Sequence, residues 1–114
     1  MASGSPEAGE IYRVTLTGHG HEQTGTRPVV VIQVDDADYL STRLCVPLST
    51  SAPPARWRVP VEVEGQSTLA LTEQARAVST ERLKKPIGKV DFGTLSDIRS
   101  SVASLIGFWV TGDH

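Results

Sequence analysis

Apolar and polar positions alternate through most of this chain and change to a helical spacing only near its end. Tyr12, Val14 and Leu16 stand two apart within residues 11–17, which predicts a strand with one buried face. Residues 18–26 contain three glycines and no aliphatic side chain, and predict a loop. Pro28 opens the apolar run of residues 29–34, the pattern of a strand buried on both faces. Residues 43–48 predict a third strand, and the hydroxyl cluster and Pro53-Pro54 of residues 49–55 a loop. Trp57, Val59, Val61 and Val63 alternate with Arg58, Glu62 and Glu64, so a half-exposed strand is expected with Trp57 in the core. Pro60 marks it as an edge or a bulge. Gly65-Gln66 turns the chain into a strand at residues 67–71, and short strands are expected at 75–78 and 87–90, with one helical turn at 80–84. Leu95, Ile98, Val102, Leu105 and Ile106 then form one helical stripe. Thr94 with Asp97 has the form of a capping box, and Gly107 stands where a helix would stop.

Six or seven strands and one helix imply a mainly β protein with a C-terminal helix, folded as a small, strongly bent antiparallel sheet or barrel. The boundaries expected are one domain at 9–107, a flexible tail at 1–8 and a C-terminal tail at 108–114.

With 114 residues, 39% hydrophobic and 21% charged, the chain has the make-up of one soluble domain with a workable core. No stretch reaches the ~18 apolar residues of a membrane span, the N-terminus lacks the pattern of a secretory signal, and the lone Cys45 fits a reducing cytoplasm. The formal net charge of −2 argues against a protein basic over its whole surface. Charge is nevertheless segregated. Residues 41–60 carry Arg43, Arg56 and Arg58 with no acid, and residues 76–90 carry Arg76, Arg82, Lys84, Lys85 and Lys89 against Glu81 alone. The expectation is a focused positive groove, with Arg27, Arg56, Arg58 and Arg76 on one face.

Three loop clusters hold the unusual polar residues: 19–28, 49–58 and 73–76. His19 and His21 can be read as metal ligands, as an acid–base pair or as solvated loop residues; no H-x-x-x-H or H-E-x-x-H completes a metal set. Cys45, inside an apolar strand, reads as a small core residue rather than a nucleophile. No phosphate-cradling glycine loop is present.

Two segments carry more than local meaning. Gly9-Glu10-Ile11-Tyr12-Arg13-Val14, followed by Glu22-Gln23-Thr24-Gly25-Thr26-Arg27-Pro28-Val29-Val30-Val31, resembles the opening of the MazF/PemK toxins, ribosome-independent endoribonucleases of toxin–antitoxin pairs. Val46-Pro47-Leu48-Ser49-Thr50 and residues 71–83, with Gln74, Arg76 and Arg82 and with Glu73 where the family usually has Asp, resemble later family motifs in the expected order. The resemblance covers residues 9–107. It implies an SH3-like, PemK-type barrel, a homodimer neutralised by a cognate antitoxin, and a cofactor-free, metal-independent cut in single-stranded RNA by the neighbouring 2′-hydroxyl.

By the same resemblance Arg27 takes the place of the catalytic arginine, stabilising charge on phosphate. Ser49 stands for the catalytic threonine, with Thr50 the alternative if the loop shifts by one. Glu22 is the base candidate, and His21 a possible proton donor or acceptor peculiar to this chain. Gln23, Arg56, Arg58, Gln74 and Arg76 are expected along the RNA path, with a bracing role equally open for Gln74 and Arg76. Two other readings stay open: a toxin of the same fold that poisons DNA gyrase by contact, as CcdB relatives do, for which Phe108-Trp109 would matter; and an RNA-binding domain without catalysis.

Overall fold

The computed structural model describes residues 5–108. Seven strands run in chain order: β1 (Glu10–Leu16), β2 (Gly25–Val31), β3 (Thr42–Ser49), β4 (Val59–Val63), β5 (Gln66–Ala70), β6 (Arg76–Ser79) and β7 (Gly88–Lys89). One helix, α1 (Phe92–Leu105), follows them, and single 3-10 turns lie at Asp35–Ala37, Thr72–Gln74 and Thr80–Arg82. All pairings are antiparallel, in the order β4-β5-β3-β2-β1-β7, with β6 also on β3. The pivot is β3. Its first half pairs with β6 (Thr42↔Ser79 to Cys45↔Arg76) and its last two residues with β5 (Leu48↔Ala70, Ser49↔Leu69), while β2 lies along its other side. Changing partners along one strand bends the sheet into a nearly closed barrel.

The apolar run of β2 explains the two-sided core. Val30 and Ile32 join Ile11, Val46, Leu48, Val61, Val63, Leu95 and Ile98 in one cluster. Val29 and Val31 face the other way, with Tyr12, Val14, Leu16, Cys45, Val78 and Leu83. The strand itself starts earlier than the apolar run suggests, at Gly25, because Pro28 and Arg27 pair with Arg13 and Val14 of β1. It also ends earlier: Val34 is exposed and precedes the first 3-10 turn.

Three local expectations are corrected. The β4–β5 turn is Glu64-Gly65, not Gly65-Gln66; both residues have positive φ (52° and 80°) and Val63 pairs with Gln66, a two-residue hairpin of the type whose twist suits its strands. Asp91, not Thr94, caps α1: its carboxylate accepts the Thr94 N–H at 2.7 Å. That bond holds the Asp91 carboxyl below the ordinary carboxylate value. The helical stripe is buried only in its first half, at Leu95 and Ile98, while Leu105 and Ile106 are exposed. Gly107 does end the helix, with φ +89° and the paired bonds Gly107 N–H to Ser104 C=O and Phe108 N–H to Ala103 C=O. Pro60 lies on the terminal strand of the sheet, where a missing N–H is tolerated.

Residues 5–8 are tied to the body rather than trailing from it. Arg43, 3% exposed, donates to the carbonyls of Pro6, Asp38, Leu40 and Thr42 and to Ser5 Oγ, so that all five of its N–H groups are used. Residues 1–4 and 109–114, including the Trp109 of the gyrase-poison reading, lie outside the described residues. No helix among the described residues is long and apolar enough to cross a membrane.

Candidate active site

Arg27 is the third residue of β2 and stands across from Val14 of β1. Its Nε donates to the Thr24 carbonyl at 3.0 Å, which fixes the stem, and its two terminal nitrogens have no protein partner among the described residues. It lines a cavity of about 160 Å3 together with Arg13, Thr50, Glu64, Gln66 and Thr68. A guanidinium stays charged and offers a planar fork of donors that suits a phosphate; the register sends the Arg27 side chain to the face of Val14, and the Arg13, Thr26 and Pro28 side chains to the other.

The two hydroxyls after β3 have different surroundings. Ser49 is 2% exposed, and its Oγ accepts the backbone N–H groups of Ser51 and Ala52 at 3.2 and 3.1 Å. It shapes the turn and has only its O–H proton left to offer. Thr50 is exposed and lines the Arg27 cavity.

The β1–β2 loop is held from a distant part of the chain. The Gln74 side chain accepts the Gln23 N–H at 2.6 Å and donates to the His21 carbonyl at 3.1 Å. Arg76 donates to the Thr17 carbonyl at 2.8 Å and the Gln23 carbonyl at 3.5 Å. Gln74 and Arg76 therefore brace the loop that leads into Arg27. Gln23 Oε1 is buried without a partner among the described residues. Glu22 turns back into the loop, where its carboxylate accepts the His19 N–H. This fold-back needs a glycine at position 18, since a Cβ there would stand 2.7 Å from the Glu22 side chain. His19 and His21 are both exposed, and neither they nor Glu22 line the Arg27 cavity. No three His, Cys, Asp or Glu side chains converge as a metal site among the described residues.

The arginines expected along one positive groove have different surroundings. Arg43 is interior. Arg58 pairs with Glu73 at 2.6 Å and donates to the Pro53 carbonyl at 2.8 Å, so it clamps the loop after β3 to the 3-10 turn at Thr72–Gln74. Arg76 is spent on carbonyls, and Arg56 lines a different cavity, of about 460 Å3, with Trp57, Ser100, Ser101, Ser104 and Leu105. Trp57 is not core: it is 39% exposed, outside β4, with its carbonyl receiving Thr72 Oγ1 and Ser101 Oγ, each at 2.6 Å. The Ser101 bond seats α1 beside it, and the Thr72 bond seats the 3-10 turn at Thr72–Gln74.

Sequence reading passed over Arg13 and Glu64. The alternation on β1 does mark Arg13 as outward, but nothing local pairs it with a residue 51 positions away. Cys45 is fully buried, and burial pushes its thiol up to about 12, so it is neutral at physiological pH.

A family profile described as the PemK-like, MazF-like toxin of type II toxin–antitoxin systems matches residues 7–106. The chain is 34% identical to a candidate toxin of Mycobacterium tuberculosis, over 87% of this chain and 95% of that one. It is 30% identical to the endoribonuclease MazF9 of the same organism, over 89% and 96%. Among solved structures, MazF from Deinococcus radiodurans superposes with a TM-score of 0.81 at 23% identity, over 91% of this chain and 98% of that one.

Proposed function

Since the chain belongs to the PemK-like, MazF-like toxins of type II toxin–antitoxin systems, we propose that it is a sequence-specific endoribonuclease that cuts single-stranded RNA without a metal. The observation that carries this reading is Arg27, whose Nε is fixed by the Thr24 carbonyl while its two terminal nitrogens have no partner among the described residues. In the reaction the 2′-oxygen next to the scissile phosphate bonds to phosphorus as its proton leaves. The bond from phosphorus to the 5′-oxygen breaks, and that oxygen takes up a proton. The products are a 2′,3′-cyclic phosphate and a 5′-hydroxyl. Arg27 supplies donors to the non-bridging oxygens, whose charge grows in the transition state. Thr50 donates a further hydrogen bond, and Ser49 holds the turn that presents it.

Glu22 and His21, on the braced loop, are the proposed proton-transfer groups. Glu22 takes that role by releasing the His19 N–H when RNA binds. Gln23, Gln74, Arg58 and Arg76 serve RNA indirectly, by fixing the two loops between which the strand passes. Arg56 and Trp57 offer a charge and an aromatic face to flanking nucleotides. The proposed active form is a cytoplasmic homodimer, silenced by a cognate antitoxin; a mycobacterial endoribonuclease of the same fold, 17% identical with a TM-score of 0.74, has been solved with its antitoxin.

The test is incubation with single-stranded RNA in EDTA beside the Arg27→Ala variant. The expected result is cleavage by the wild type and a loss of about 10²–10³ in rate for the variant. Gyrase inhibition without cleavage, or salt-sensitive binding without cleavage, would overturn the proposal in favour of the other two readings.

A further inference from the structure

Gln23 is held at its main chain and idle at its side chain. Its N–H donates to Gln74 Oε1 at 2.6 Å and its carbonyl accepts Arg76 Nη1 at 3.5 Å, from residues 51 and 53 positions away. Its own amide has no hydrogen-bond partner among the described residues, and the amide oxygen is buried. Bracing the loop needs only the main chain of this residue. Any side chain other than proline would leave the same N–H and carbonyl in place, and methionine would fill similar space without stranding an oxygen. A buried acceptor without a donor weakens the fold, and the brace gives no reason for it. The position of Gln23 supplies one. Thr24, next in the chain, fixes the Arg27 stem through its carbonyl at 3.0 Å, so the idle amide stands beside the residue proposed to hold the phosphate.

We propose that the Gln23 side chain, beyond the bracing role of its main chain, reads an adenine next to the phosphate on Arg27. When the strand enters, the side chain turns out of the loop while its backbone stays pinned. Turning out breaks no protein hydrogen bond and frees the stranded oxygen. With the backbone already fixed, only side-chain rotation has to be ordered. The amide sets an acceptor beside a donor, the complement of an amine beside a ring-nitrogen acceptor. Adenine presents that pair on both of its edges, with the amine next to N1 and next to N7, whereas the N7 edge of guanine carries two acceptors. An unpaired base in a single strand leaves both edges open to a side chain. The inference rests on the nuclease reading above.

The experiment maps the cuts that the full chain and its Gln23→Met variant make in a randomised single-stranded RNA. Wild type is expected to prefer adenine at one position flanking the cut. Gln23→Met should lower that preference about tenfold and leave the other positions as they were. Purine riboside in place of that adenine lacks the amine; it should cost wild type about tenfold in kcat/KM and the variant nothing. Exchange of the Gln23 backbone amide should be no faster in Gln23→Met, because both main-chain bonds remain, and this separates reading from bracing. Gln23→Leu should behave as Gln23→Met does. An unchanged base preference in Gln23→Met would overturn the proposal, as would a wild type without an adenine preference beside the cut. So would a loss of preference accompanied by faster exchange at Gln23, which makes the side chain a brace. If wild type cuts no RNA in EDTA, the nuclease reading falls, and binding to fully 2′-O-methylated strands still decides the role of Gln23. Gln23→Met should then weaken binding of oligoadenylate about tenfold and leave oligouridylate unchanged; equal effects on the two overturn the assignment.

Discussion

Replacing Gln74 with alanine tests how the β1–β2 loop is held. The substitution deletes the acceptor of the Gln23 N–H at 2.6 Å and the donor to the His21 carbonyl at 3.1 Å, and leaves both Arg76 bonds in place. Neutral hydrogen bonds contribute about 0.5–1.5 kcal/mol each, so the loss is about 2 kcal/mol, or about a 30-fold shift in the loop's opening equilibrium. The loop buries none of the core residues, so the global melting temperature should move little. Amide hydrogen exchange is the direct assay: the Gln23 amide should exchange about 30-fold faster, while the amides of β2 and β3 keep their protection. Cleavage should fall with it, because Thr24, whose carbonyl fixes the Arg27 stem, is next in the chain. Gln74→Glu keeps an acceptor for Gln23 and sets a negative charge against the His21 carbonyl, so its exchange should lie between the two. Unchanged exchange at Gln23 in Gln74→Ala would show that the loop is held by something other than this side chain.

Other substitutions separate chemistry from architecture. Thr50→Ala should lower the cleavage rate about 10²-fold with unchanged stability. Ser49→Ala should cost roughly 1–2 kcal/mol in urea unfolding, having stripped two N–H groups of their acceptor, with a smaller effect on rate. The Asp91 carboxyl is held below its ordinary value near 3.8 in the folded chain, so its stabilising contribution is complete above that value and disappears as pH falls through the lowered one. The difference in urea midpoint between wild type and Asp91→Ala should therefore be present at pH 6 and shrink below pH 4. The Cys45 thiol, pushed up to about 12 by burial, should resist iodoacetamide at pH 8 in the native chain and react once the chain is unfolded.

Most strands were legible because their burial follows the two-residue period, and β2 because an apolar run with no polar face must be covered twice. Where the reading slipped, a local signal had two possible owners. Thr94 and Asp91 are both good caps, and only the position of Leu95 against the barrel puts the first turn at Phe92. Trp57 continues an alternation that ends at Val59, since the preceding residues turn away to meet α1. Around the proposed site, the loop before β2 and the hydroxyl turn after β3 were legible as loops. The site was not legible in its charges. A tally by segment counts Arg43, Arg58 and Arg76 as available, whereas the fold uses them on carbonyls and on Glu73, 15 residues from Arg58.

The brace on the β1–β2 loop also bears on when the chain becomes active. Gln23 meets Gln74 across 51 positions, and Thr17 meets Arg76 across 59. A growing chain that has released Arg27 and Thr50 still lacks the residues that fix the loop before them. Closing so long a span comes late, since its entropy is lost before the contact forms. Each molecule therefore acquires its braced loop only after residues 74–76 have been made.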